Sequence, residues 1–182
     1  MAPYINNHTK NRKKMNNNLL FDYSINKENN TIYIKRVFDA RLELVWNAWT
    51  NADLLDQWFG PKPLKAETLS MDFRESGFWL YTIKSEEYGQ QWGKTEYHEI
   101  VNLKYFTASD SFLDEHQKPI PNYPVSYWKI EFSEKADTTT IDVATTYNSL
   151  EDLEKMIEWG YMDGFTSVMK NLDNLLNALK TK

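Results

Sequence analysis

The chain is 182 residues long, 15% aromatic with 7 Trp, 11 Tyr and 9 Phe, and it carries a formal charge of −5 and no cysteine. That length suits one domain able to close a core without staples, and the missing thiols exclude a disulfide framework, a thiolate nucleophile and zinc sites with sulfur ligands. Lys10, Arg12, Lys13 and Lys14 are the only charged side chains before Asp22; removing these four from 21 basic residues leaves 17 against 26 acidic, a balance of −9. An acidic body of this kind repels phosphate backbones and disfavours nucleic acid as a partner.

Residues 1–20 read as a disordered basic, Asn-rich leader, because Asn6-Asn7 and Asn16-Asn17-Asn18 surround the cations and little apolar surface is available to order them. An arm for nucleic acid or membrane is the rival reading. Met15 is an alternative start to Met1. Residues 21–182 form the expected single domain. No run approaches the ~18 apolar residues of a membrane span, and the first residues lack the apolar segment of a signal peptide. The expected location is cytoplasmic.

Thr31 to Phe38, rich in β-branched and aromatic residues, predicts the first strand. The period then changes: Leu42, Val45, Trp46 and Trp49 fall on one helical face. A second short helix is expected over 53–58, stopped by Gly60-Pro61 and Pro63. Six strands follow, at 64–74, 78–84, 91–100, 104–112, 126–133 and 139–147, with short turns that imply an antiparallel meander. The Pro-rich connection at 113–125 is the long one. A single long helix is predicted over 151–179, with Ser149 as N-cap and Glu151 and Asp152 in its first turn. Its apolar stripe runs through Leu153, Met156, Ile157, Gly160, Gly164, Val168, Leu172, Leu175 and Leu179. The fold class is therefore α+β, in the order β-α-α-β6-α: a curved antiparallel sheet around a long C-terminal helix.

The stretch from Arg36 through Trp46-Asn47-Ala48-Trp49-Thr50, continued by Leu54-Leu55-Asp56-Gln57-Trp58-Phe59-Gly60-Pro61, resembles the opening of the heat-shock protein 90 ATPase activator-like family. That family lies in the SRPBCC (START-like, Bet v I-like) superfamily. Met71-Asp72-Phe73-Arg74-Glu75-Ser76-Gly77, Tyr97-His98-Glu99-Ile100 and Gly160-Tyr161-Met162-Asp163-Gly164-Phe165 are similar to its later landmarks. A second glycine is usual where Ser76 stands, and a proline where Arg41 stands. The resemblance implies a helix-grip fold with a cavity, and no specific activity.

Alternation places Trp79, Tyr81 and Ile83 on one face, with Trp128, Ile130 and Phe132 and with Ile141, Val143 and Tyr147 on the matching faces of later strands. Gly160 and Gly164 sit four apart on the covering helix, each about 1 kcal/mol worse than alanine there. Two explanations stay open: close packing of helix on sheet, or a cavity for a planar or apolar ligand bounded by Trp79, Tyr81, Tyr97, Trp128, Trp159 and Phe165. Asp110 is the candidate polar anchor, with a solvated position at a fraying strand end as its alternative. Asp72, Arg74 and Glu99 are expected to form a structural polar set.

His8, His98 and His116 are too dispersed for a helical metal-ligand pair, and no phosphate loop, Gly-x-Ser-x-Gly elbow or His-Glu-x-x-His pattern occurs. No catalytic residue, metal or cofactor is implied. The leading expectation is non-catalytic binding of a small hydrophobic or aromatic molecule, with the 113–125 loop as a lid. The rivals are a co-chaperone-like or homodimeric interaction domain and a cavity enzyme of the cyclase or lyase kind.

Overall fold

The computed structural model describes residues 11–12, 20–87 and 89–180, so most of the expected leader lies outside the described residues. The elements are β1 (Asn11–Arg12), β2 (Phe21–Asn26), β3 (Thr31–Phe38), α1 (Leu42–Thr50), α2 (Ala52–Trp58), β4 (Lys65–Met71), β5 (Phe78–Ser85), β6 (Gly89–Val101), β7 (Tyr105–Leu113), β8 (Ser126–Lys135), β9 (Thr138–Tyr147), α3 (Leu150–Glu158) and α4 (Tyr161–Lys180). Among the described residues the strands form one antiparallel sheet in the order β1-β2-β3-β9-β8-β7-β6-β5-β4. β3 and β4 lie far apart in that order, and α1 and α2 carry the chain between them. The architecture is the expected helix grip, with one inward sheet face covered by helices.

Strict alternation builds that inward face. In β9, Thr139, Ile141, Val143, Thr145 and Tyr147 are buried, and in β8 Ile130 and Phe132 are buried beside them. α1 buries Val45, Trp46, Ala48 and Trp49, as its spacing predicts. Arg41 supplies no side-chain cap to that helix; the Leu42 amide donates instead to Glu134 Oε1 at 3.0 Å. A carboxylate from β8 thus satisfies the first orphan amide of the helix. At α2, Asn51 Oδ1 accepts the Leu54 amide at 3.3 Å.

Two features depart from the expected order. β2 precedes the predicted first strand, with Phe21 buried and the Lys27–Asn30 turn closed by Asn30 at φ +53°. The long helix is broken. α3 ends at Glu158 with Trp159 as its C-cap, and Gly160 adopts φ +85°, a left-handed conformation open to glycine and unfavourable for residues with a Cβ. The apolar stripe continues through the break, so periodicity alone joins what the backbone separates.

α4 is fixed to the sheet and to α2 at its C-terminal half. Arg36, 2% exposed on β3, donates through Nη2 to Asp173 Oδ2 at 2.5 Å. Asn171 Nδ2 donates to the carbonyls of Gly60 at 2.9 Å and Trp58 at 3.3 Å. Leu172, Leu175 and Leu176 are buried around these ties. The expected Asp72, Arg74 and Glu99 set divides in two: Arg74 Nε donates to Asp72 Oδ2 at 2.6 Å, whereas Glu99 Oε1 accepts from Tyr105 OH at 2.6 Å. Glu99 itself falls at a shift in the β6–β7 pairing between Tyr97 and Ile100.

Candidate functional site

Sheet register assembles one polar rung across five strands. Trp79 pairs with Thr95, Thr95 with Asp110, Asp110 with Ser126, and Ser126 with Tyr147. All five residues point inward by the pleat. Asp110 is 6% exposed, which corrects the solvated alternative. Its Oδ1 accepts from Thr95 Oγ1 at 2.6 Å and from Tyr81 OH at 3.0 Å. Glycine makes the second bond possible. A Cβ on Gly93 would lie 2.3 Å from Tyr81 Cζ, so only a bare backbone lets that ring lie across β6 toward Asp110. Trp79 stacks on Tyr81 at 4.1 Å and 25°, held by Nε1 donating to Thr68 Oγ1 at 2.8 Å.

Beside this rung lies a pocket of about 200 Å³ between the sheet and α4. α1 and α2 contribute Trp49, Trp58 and Phe59, the sheet Tyr81, Asp110, Trp128 and Tyr147, and α4 Tyr161, Gly164 and Phe165. A Cβ added to Gly164 would meet nothing within 4 Å. Phe59 wedges in from the end of α2, its ring 4.8 Å from Trp79 and 5.5 Å from Tyr81.

The polar groups of the lining divide into satisfied and unsatisfied. Trp128 Nε1 donates to Ser126 Oγ at 2.9 Å, and Tyr161 OH pairs with Thr145 Oγ1 at 2.9 Å. The Tyr147 hydroxyl and the Trp49 indole N–H are buried with no partner among the described residues. A buried polar group left unpaired costs roughly 1–3 kcal/mol. Burial pushes the Asp110 carboxyl up to about 7, with the Thr95 and Tyr81 hydrogen bonds restraining the shift. Burial also raises Tyr161 to about 12, opposed by its bond with Thr145 and reinforced by Asp110. Tyr81, Tyr97 and Tyr147 are pushed upward by burial first and by neighbouring acidic groups second. At neutral pH the site therefore holds one group that titrates, ringed by tyrosines that stay neutral.

Of the residues singled out by sequence, Tyr81, Asp110, Trp128, Gly164 and Phe165 line the pocket. Trp79 and Tyr97, each 2% exposed, are core residues outside the lining, Tyr97 packing edge-on to Phe73 at 4.8 Å. Trp159 is 53% exposed, and Gly160 serves the helix break. Neither glycine is explained by close packing, because a Cβ at either position would find open space. Trp49, Phe59, Tyr147 and Tyr161 also line the pocket, beyond the residues expected from sequence. The inward phase of Tyr147 was legible from β9, but nothing local shows that Phe59 turns back under the sheet.

The described residues contain no group of three His, Cys, Asp or Glu placed to hold a metal, and no helix long and apolar enough to cross a membrane. No curated protein matches the chain. Among solved structures, a crystal structure of a Mycobacterium smegmatis protein is 25% identical with a TM-score of 0.80, covering 87% of this chain and 98% of that one. A solution structure of an Arthrobacter aurescens protein is 23% identical with a TM-score of 0.82, covering 86% and 91%. One from Staphylococcus epidermidis is 24% identical with a TM-score of 0.75, covering 85% and 93%. The family model for Activator of Hsp90 ATPase homolog 1-like protein matches residues 39–177, which spans α1 through most of α4 and the whole pocket lining. The chain belongs to the Activator of Hsp90 ATPase homolog 1-like family.

Proposed function

We propose that this chain is a binding protein for a small, ring-sized apolar or aromatic molecule held between the sheet and α4. The observation that carries the reading is the open space beneath Gly164, walled by Phe59, Trp128 and Phe165. Its volume of about 200 Å³ exceeds the ~150 Å³ of an engineered apolar cavity that takes up benzene. Aromatic walls with a few fixed polar groups are the usual construction of a small-molecule site.

The entrance in this reading lies at the helix break. Tyr123, in the long loop after β7, sits 4.6 Å from the pocket residue Phe112 and 5.0 Å from the exposed Trp159. The loop thereby forms a lid whose latch is Trp159 at the end of α3.

Native mass spectrometry of freshly purified wild type and Gly164→Leu tests the proposal. The leucine fills space that a Cβ finds empty, so both proteins fold and only the wild type carries an added small-molecule mass. Equal occupancy in the two proteins, at matched thermal stability, contradicts it.

A further inference from the structure

Resting on the pocket as a ligand site, we infer that its ligand is an organic cation, a protonated amine on an aromatic or apolar body, with Asp110 as its counter-charge. Asp110 is buried, enters no ion pair among the described residues, and is approached by no Lys, Arg or His in the pocket lining. Both hydrogen bonds it accepts, from Thr95 and Tyr81, are neutral hydroxyl bonds and fall on Oδ1. A buried carboxylate is tolerated when paired with a positive charge, and the described residues supply none here. The walls suit the same guest. Phe59, Trp128, Phe165 and Tyr161 line the space, and aromatic faces attract ammonium groups. The net charge of −5 favours the approach of cations.

The pH dependence follows from the groups facing Asp110. These are Thr95 and Tyr97 on β6, Tyr81 on β5, Ser126 on β8, Tyr147 on β9 and Tyr161 on α4. The tyrosines are all held above their ordinary value, so between pH 6 and 8 only the Asp110 carboxyl changes charge. Amine binding strengthens as pH rises through that interval. A neutral ligand that takes a proton from the Asp110 carboxylic acid would show the opposite slope.

Isothermal titration with 2-phenylethylamine and its neutral isostere 2-phenylethanol, at pH 6 and pH 8, tests this on the full chain and on Asp110→Asn. The expected result is amine binding at pH 8 at least roughly tenfold tighter than the alcohol, a smaller preference at pH 6, and loss of the preference in Asp110→Asn with alcohol binding retained. If that variant does not fold, the wild-type preference and its pH slope decide alone. Alcohol binding as tight as amine binding at pH 8 overturns the cation and leaves the pocket reading standing. Binding of neither probe overturns the pocket reading itself.

Discussion

The two ends of the same inward sheet face are built in opposite ways. Under α1 the space is full: Trp46 is 5% exposed and meets Phe132 at 5.0 Å, Phe73 at 6.0 Å and Phe106 at 6.2 Å, each edge to face. Under the first turns of α4 the space is open, Gly164 presents no side chain, and the sheet contributes a carboxyl and several hydroxyls. Rings interlock at the filled end and stand apart around the open one. α4 spans both regimes, tied down at Asp173 and Asn171 and beginning just past the break at Gly160.

The largest effect expected from this contrast is at the filled end. Trp46→Ala removes a buried indole from a packed cluster and lowers stability by about 3–5 kcal/mol in denaturant titration. Phe165→Ala, on the wall of an existing space, costs under ~2 kcal/mol by the same measurement. Similar losses at both sites would erase the distinction between the two ends.

The open end is the more sensitive to pH. Folding raises the Asp110 carboxyl from 3.8 to about 7, so the folded state holds its proton more tightly than the unfolded chain. The contribution of Asp110 is therefore most favourable below pH 4 and is lost as pH rises through about 7. Asp110→Asn, which keeps an oxygen acceptor and never ionises, is expected to gain on wild type by on the order of 3 kcal/mol between pH 4 and 8. A constant difference across that range would place the carboxylate in a well-solvated or paired setting.

The smallest effect separates the two helix glycines by sign. Gly160→Ala forces a Cβ into φ +85° and destabilises by ~1 kcal/mol. Gly164→Ala adds a Cβ to open space in a regular helix and stabilises by up to ~1 kcal/mol. Thermal melts of the two variants in one buffer read the difference directly.

These particulars show where sequence carried the fold and where it stopped. Alternation in β8 and β9 located the inward face residue by residue, and Ser149 was legible as a cap: its Oγ accepts the Asp152 amide at 3.1 Å. The helix break was not legible, because φ at Gly160 leaves no mark on an apolar spacing that runs unbroken past it. β2 is hard to read from sequence although Phe21, Tyr23 and Ile25 alternate, since the strand is short and follows a polar leader. For the site, alternation gives a side chain's direction but not its depth. It cannot tell Trp79, behind Tyr81, from Trp128, on the pocket wall. Asp110 acquires its character from Thr95 and Tyr81, which are 15 and 29 residues away in the chain.

Amide and indole NMR spectra of the wild type recorded with and without toluene test the central claim most directly, because toluene has size and apolarity but no polar group. Uptake by the open end predicts shifts concentrated at Gly164, Phe165, Tyr147 and the Trp128 indole, with Trp46 and its neighbours unmoved. Shifts absent from that cluster, or spread evenly over both ends of the sheet, would contradict it.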